Sequence, residues 1–81
     1  MPSVILVLID HDAAMPLWRQ LADVLRQEIG SGKLQPGRVI PSETTLMQEH
    51  GLARGTVRKA IDALADEGLV VRVQGRGTYV A

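Results

Sequence analysis

Apolar residues change their spacing along this chain, and each spacing predicts a different element. Val4-Ile5-Leu6-Val7-Leu8-Ile9 is an unbroken aliphatic run, the pattern of a short strand covered on both faces or exposed until it meets a partner. From Pro16, which suits a first helical turn, Leu17, Leu21, Val24, Leu25 and Ile29 recur at helical spacing until Gly30-Ser31-Gly32 stops them. Lys33 to Ile40, with Pro36-Gly37 inside, loses that period and reads as a turn-rich connector running over the surface. Ser42 then serves as an N-cap with Glu43 well placed in the first turn, and Leu46 and Met47 supply the apolar side of a short helix ending near His50-Gly51. Gly51 fits a tight turn with positive φ.

The strongest stripe follows. Val57, Ala60, Ile61 and Leu64 fall on one side of a helix, while Gly55, Arg58, Lys59 and Asp62 fall on the other. Arg54 and Arg58 lie four apart at the helix start, so their guanidinium groups point the same way, from an end whose unpaired N–H groups favour a phosphate. Two arginines and a lysine on an amphipathic helix are in many proteins only a solvated face. Here the preceding helix and its Gly-containing turn make a helix-turn-helix, whose second helix is the one that enters a DNA major groove. Gly68 is placed to cap this third helix. Leu69 to Val73 and Thr78 to Val80 are β-rich and flank Gln74-Gly75-Arg76-Gly77, which predicts a hairpin. As a wing, that hairpin brings Arg76 at its tip and glycines that permit close backbone approach to a phosphate or minor groove.

The predicted architecture is therefore mainly α with a small β-sheet: three helices, a C-terminal hairpin wing and a short N-terminal strand. Residues 1–15 form the strand and loop and residues 16–81 the winged helix-turn-helix. At 81 residues the chain holds one modest core and no deep enclosed catalytic pocket. Its 46% apolar content argues against disorder, and with Trp18 and Tyr79 as the aromatics the core must be aliphatic, leaving no stacking platform for single strands. Nine basic side chains balance nine acidic ones, so net charge lends nucleic-acid binding no support. The distribution adds more: between Arg54 and Arg76 the bases Arg54, Arg58, Lys59, Arg72 and Arg76 stand against Asp62, Asp66 and Glu67, whereas Asp10, Asp12, Asp23 and Glu28 lie in the first half.

Most chemistry is excluded by what is missing. The chain has no Cys, hence no disulfide, thiolate zinc site or Cys nucleophile. There is no phosphate-binding glycine loop ending in Lys and no paired-His helix motif, so no catalytic, metal or cofactor residues are assigned. Asp10-His11-Asp12 is better read as a polar loop than as a metal site, because adjacent residues seldom converge on one ion and the only other His is His50. The apolar run 4–9 is too short to cross a membrane and lacks a basic segment before it, which predicts a cytoplasmic protein.

Leu17-x-x-Gln20-Leu21-Ala22, Ile29-x-Ser31-Gly32-x-Leu34-x-Pro36-Gly37, Pro41-Ser42-Glu43-x-x-Leu46, Gly51-x-x-Arg54-x-Thr56-Val57-Arg58-x-Ala60, Leu64-x-x-Glu67-Gly68-Leu69 and Gln74-Gly75-Arg76-Gly77-Thr78-Tyr79-Val80 occur in one order without gaps. In these residues the chain resembles the N-terminal winged helix-turn-helix DNA-binding domain of the GntR family of bacterial transcriptional regulators, over about four fifths of its length. The leading strand is similar to that of HutC- and YtrA-type members. The resemblance implies double-stranded operator DNA as partner, bound by two copies on an inverted repeat, and repression by promoter occupancy. It implies base and phosphate contacts from Arg54 and Arg58, flanked by Gly55 and Lys59, with Thr56 on the backbone. It further implies minor-groove contacts from Gln74, Gly75 and Arg76, and a helix start at Ser42, Glu43 and Thr44 that meets phosphate. A small-molecule effector is expected only if a C-terminal domain follows this sequence.

The chain departs from the family pattern at three positions. Thr44 stands where Arg is frequent, Ala53 where Ser or Thr would cap the recognition helix at about 1 kcal/mol, and Gly55 where a side chain could reach a base. Fewer contacts and zero net charge predict weak binding by one copy. The alternative is a winged-helix protein-interaction module using the apolar run 4–9; DNA binding, unlike apolar docking, must weaken linearly with log salt.

Overall fold

The computed structural model describes residues 9–81, so of the run 4–9 expected as a strand all but Ile9, which is in no strand, lies outside the described residues. The elements are α1 (Leu17–Ser31), α2 (Glu43–His50), α3 (Arg54–Asp66), β1 (Val70–Val73) and β2 (Gly77–Val80). This is the expected winged helix-turn-helix. α3 is the hub, with α1, α2 and β1 each packed on it. Its stripe residues Val57, Ala60, Ile61 and Leu64 are all buried, meeting Leu21, Ala22 and Leu25 of α1, Leu46 of α2, and Val70 and Val80 of the hairpin. Full burial of each large aliphatic side chain stabilises the fold by about 1.5–3 kcal/mol, so the 3.6-residue spacing of α3 largely fixes the arrangement.

The helix ends follow their local chemistry. α1 runs one residue past Gly30 and stops at Gly32, where the Glu28 carbonyl is taken by the Leu34 N–H at 3.1 Å. Ser42 caps α2, its Oγ accepting from the Thr45 N–H at 3.1 Å, and Gly51 has the left-handed backbone expected after it. α3 ends at Asp66, two residues before Gly68. Arg26 of α1 ties its middle to the end of α3, donating from Nε and Nη2 to the two Glu67 oxygens at 2.9 and 2.6 Å, and from Nη1 to Asp23. The forked bond from Arg26 holds the Glu67 carboxyl below the usual carboxylate range.

The connector is not wholly a surface loop. Its end, Arg38 to Ile40, lies beside β2: Ile40 N–H donates to the Thr78 carbonyl at 2.8 Å, Val80 N–H to the Arg38 carbonyl at 2.9 Å, and Val39 bridges Tyr79. Ile40 is buried. Three residues are too few to show an alternating pattern, and Pro36-Gly37 masked them. The consequence is a wing whose second strand is held on both edges, anchoring it to the segment that leads into α2.

Candidate nucleic-acid interface

Three pieces of backbone meet at one corner: the start of α2, the start of α3 and the wing. Ala53 precedes α3 in an extended conformation and offers no side-chain acceptor, so the first-turn N–H groups of α3 are open to an outside one. Arg54 and Arg58 converge on Glu43, the first residue of α2. Arg54 Nη1 lies 3.1 Å from Oε1, and Arg58 Nε lies 3.2 and 3.3 Å from the two carboxylate oxygens. Side-chain exposure rises from 28% at Glu43 to 48% at Arg54 and 60% at Arg58, so the carboxylate sits beneath the guanidinium groups.

In the wing, β1 and β2 pair antiparallel with Val70 opposite Val80, Val71 opposite Tyr79, Arg72 opposite Thr78 and Val73 opposite Gly77. The turn between them closes through the Arg76 N–H and the Val73 carbonyl at 3.0 Å. Gly75, third in that turn with φ 77°, supplies the positive φ that a type II turn demands. Alternation puts Val70 and Arg72 on the face toward α3. Val70 is buried there, and Arg72 reaches Asp62 at 2.5 Å and the Arg58 carbonyl at 3.4 Å. The opposite face carries Val71, Val73 and Val39, all exposed, with Tyr79 half-buried among them in the register.

Between the helix starts and the base of the wing lies a groove of about 370 Å3, lined by Ser42, Glu43, Thr44, Arg54 and Arg76 over an apolar floor that includes Ile40 and Ile61. Five of the residues expected at the interface thus share one concavity, and Arg58 joins them through Glu43. Gln74 and Gly75 form the exposed tip of the wing, Gly55 is exposed with open space where a Cβ would stand, and Thr56 is half-buried. Lys59 points elsewhere: its Nζ lies 5.0 Å from the centroid of the Trp18 ring on α1, a cation–π contact on the scaffold side.

One participant was not foreseen, and the ion pairs of another were not. Arg72 ties the wing to the middle of α3, and its signal was its period: it shares a strand face with buried Val70, so it needed an anion on the helix beneath. Glu43 was foreseen only as part of the α2 start, since its partners lie eleven and fifteen residues away. Asp10-His11-Asp12 is a turn, with the Asp12 N–H on Asp10 Oδ1 at 2.9 Å and His11 Nε2 3.2 Å from the His50 carbonyl. Among the described residues no cluster of three or more His, Asp or Glu could hold a metal ion, and no helix is long and apolar enough to cross a membrane.

Known proteins share this fold. Residues 17–80 match the family described as bacterial regulatory proteins, gntR family. The mannosyl-D-glycerate transport/metabolism system repressor MngR of Escherichia coli is 45% identical over 65 residues, which are 80% of this chain and 27% of that protein. The HTH-type transcriptional repressor NagR of Bacillus subtilis is 38% identical over 73 residues, 90% of this chain and 30% of NagR. The chain therefore spans less than a third of the length of these relatives. A crystal structure of AraR(DBD) in complex with operator ORE1 superposes with a TM-score of 0.82 at 40% identity, covering 89% of this chain and 88% of that one. YtrA from Sulfolobus acidocaldarius, a GntR-family transcription factor, gives 0.82 at 38% identity over 91% and 78% of the two chains.

Proposed function

Because the chain belongs to the gntR family of bacterial regulatory proteins, we propose that it is the DNA-reading part of a cytoplasmic transcriptional repressor that binds double-stranded operator DNA as two copies on an inverted repeat. The observation that carries this reading is the corner where Arg54 and Arg76, from two separate elements, line one groove and Arg58 joins them through Glu43. α3 enters the major groove, where Arg54 and Arg58 take guanine O6 and N7, each bidentate pair contributing roughly 1–3 kcal/mol of discrimination. Gly55, having no side chain, lets the helix backbone close on the DNA, and Thr56, Ser42 and Thr44 bond phosphates that fix the register. Gln74, Gly75 and Arg76 meet the minor groove. Lys59 is engaged by Trp18 and supports the helix from behind.

In this reading a small-molecule effector acts only where a C-terminal domain follows these residues, and the chain itself carries no enzymatic step. Support for the repressor role comes from relatives named as repressors and from AraR(DBD) solved on operator DNA. The test is fluorescence anisotropy of duplexes selected from a randomised library, against scrambled duplex, at low and moderate salt. Selective binding that falls linearly with log salt is expected, and Arg58→Ala should weaken it and relax base preference. Binding indifferent to salt, or an unaltered base preference in Arg58→Ala, refutes the assignment.

A further inference from the structure

Glu43 is an odd neighbour for DNA: an anion at the centre of the corner where a polyanion would dock. We infer that Glu43 is a positioning residue for arginine readout, fixing the Arg54 and Arg58 guanidinium groups while touching neither base nor phosphate; this rests on the DNA reading above. The donor geometry carries the inference. A guanidinium has five N–H donors in a fixed plane. Arg58 gives Glu43 its Nε, which leaves the Nη1/Nη2 end free. Arg54 gives an Nη1 donor, which leaves the Nε/Nη2 side free. Each arginine therefore keeps a two-donor edge of the kind that matches guanine O6 and N7, and the shared carboxylate sets the two planes relative to each other.

Two opposing consequences follow. Arginines braced before binding lose less rotamer freedom on docking, which favours the matched sequence. The carboxylate also repels phosphate at every sequence, which weakens binding to unmatched DNA. Both effects widen the gap between operator and random duplex. With both arginines about half exposed, these ion pairs contribute little to folding, so the brace acts chiefly on recognition.

The experiment uses a duplex selected from a randomised library by the wild-type chain and a scrambled duplex of the same composition. Glu43→Ala should lower the operator-to-scrambled affinity ratio about tenfold, the loss expected of one misplaced bidentate contact, while binding scrambled DNA at least as tightly as wild type. Glu43→Gln, which keeps the shape and one acceptor oxygen, should fall between. Adding Glu43→Ala to Arg58→Ala should cost less discrimination than Glu43→Ala costs in the wild type, because only Arg54 is then left to position. Losses that add in the double variant and map to a single base pair would mean that Glu43 touches a base itself, overturning the role. Equal weakening on both duplexes in Glu43→Ala and Glu43→Gln would also overturn it, as would an unchanged ratio. If the wild-type chain enriches no sequence at all, the DNA reading fails and takes this role with it.

Discussion

Replacing Gly77 with Ala tests whether backbone conformation at the foot of the wing limits what the sequence can become. Gly77 has φ 121°, outside the left-handed helical well that Asn or Asp can occupy, and a Cβ there would stand 3.3 Å from Val39 Cγ2. The two penalties differ in size. Val39 is 53% exposed, so it can yield the few tenths of an ångström required at little cost. The backbone cannot yield without breaking the Val73 and Gly77 pairing, and such a sparsely populated φ costs of order 1–3 kcal/mol. Against a total of about 4–12 kcal/mol for 81 residues, a loss of about 2 kcal/mol lowers the melting temperature by roughly 8–16 °C. Urea unfolding followed by Trp18 fluorescence, with circular dichroism as second probe, measures it. A loss below about 0.3 kcal/mol, within ordinary surface scatter, would refute the strain argument. Recovery of most of the loss in Val39→Ala/Gly77→Ala would show instead that the side-chain contact dominates.

Three further outcomes follow from named contacts. Lys59→Ala should cost about 0.5–1 kcal/mol of stability through the lost Trp18 contact and leave the salt dependence of DNA binding unchanged; a slope reduced by about one would place Lys59 on a phosphate. The Glu67 carboxyl is lowered by Arg26, so its contribution to folding is present at neutral pH and is lost as pH falls through that depressed value. Glu67→Gln should therefore flatten the acid side of the stability profile in chemical denaturation, and an unchanged profile would contradict the linkage. Ala53→Ser should raise stability by about 1 kcal/mol by capping α3, read as a higher urea midpoint; no gain would mean those first-turn N–H groups already have partners.

Periodicity made most of this fold readable. The stripe Val57, Ala60, Ile61 and Leu64 was legible because a helix of that length repeats its buried positions, and all four are core residues. The edge contributed by Arg38 to Ile40 was not, because an isolated bridge of three residues has no period and its pairing with Thr78 and Val80 spans some forty positions. The site divided in the same way. Arg54, Arg58 and Arg76 announced themselves by residue type at a helix start and a turn, where local rules apply. Lys59 fell on the polar side of the helical wheel beside Arg58, yet the wheel does not say which neighbour lies past that edge, and Trp18 of α1 does. Glu43, Asp62 and Arg72 gained their meaning only from tertiary neighbours.

The zero net charge, which argued against DNA at the level of composition, dissolves once charges are paired in space. Arg26 is held by Asp23 and Glu67 and Lys33 by Glu28 on the scaffold, and Arg72 of the wing by Asp62 of α3. The Lys33 and Arg72 pairs cancel locally and Arg26 faces one acid in excess, so none of these groups offers a phosphate net positive charge, and what field they cast is screened beyond a Debye length of about 10 Å. At the corner of α2, α3 and the wing, three arginines meet one carboxylate, and that carboxylate lies beneath two of them. A phosphate approaching that corner meets the excess, whereas one approaching the pairs of Arg26, Lys33 or Arg72 meets none. Local potential, not the sum over the sequence, decides where a polyanion docks. A small excess on one face also means few phosphates neutralised per copy, which makes a second copy on a repeated site the natural route to useful affinity.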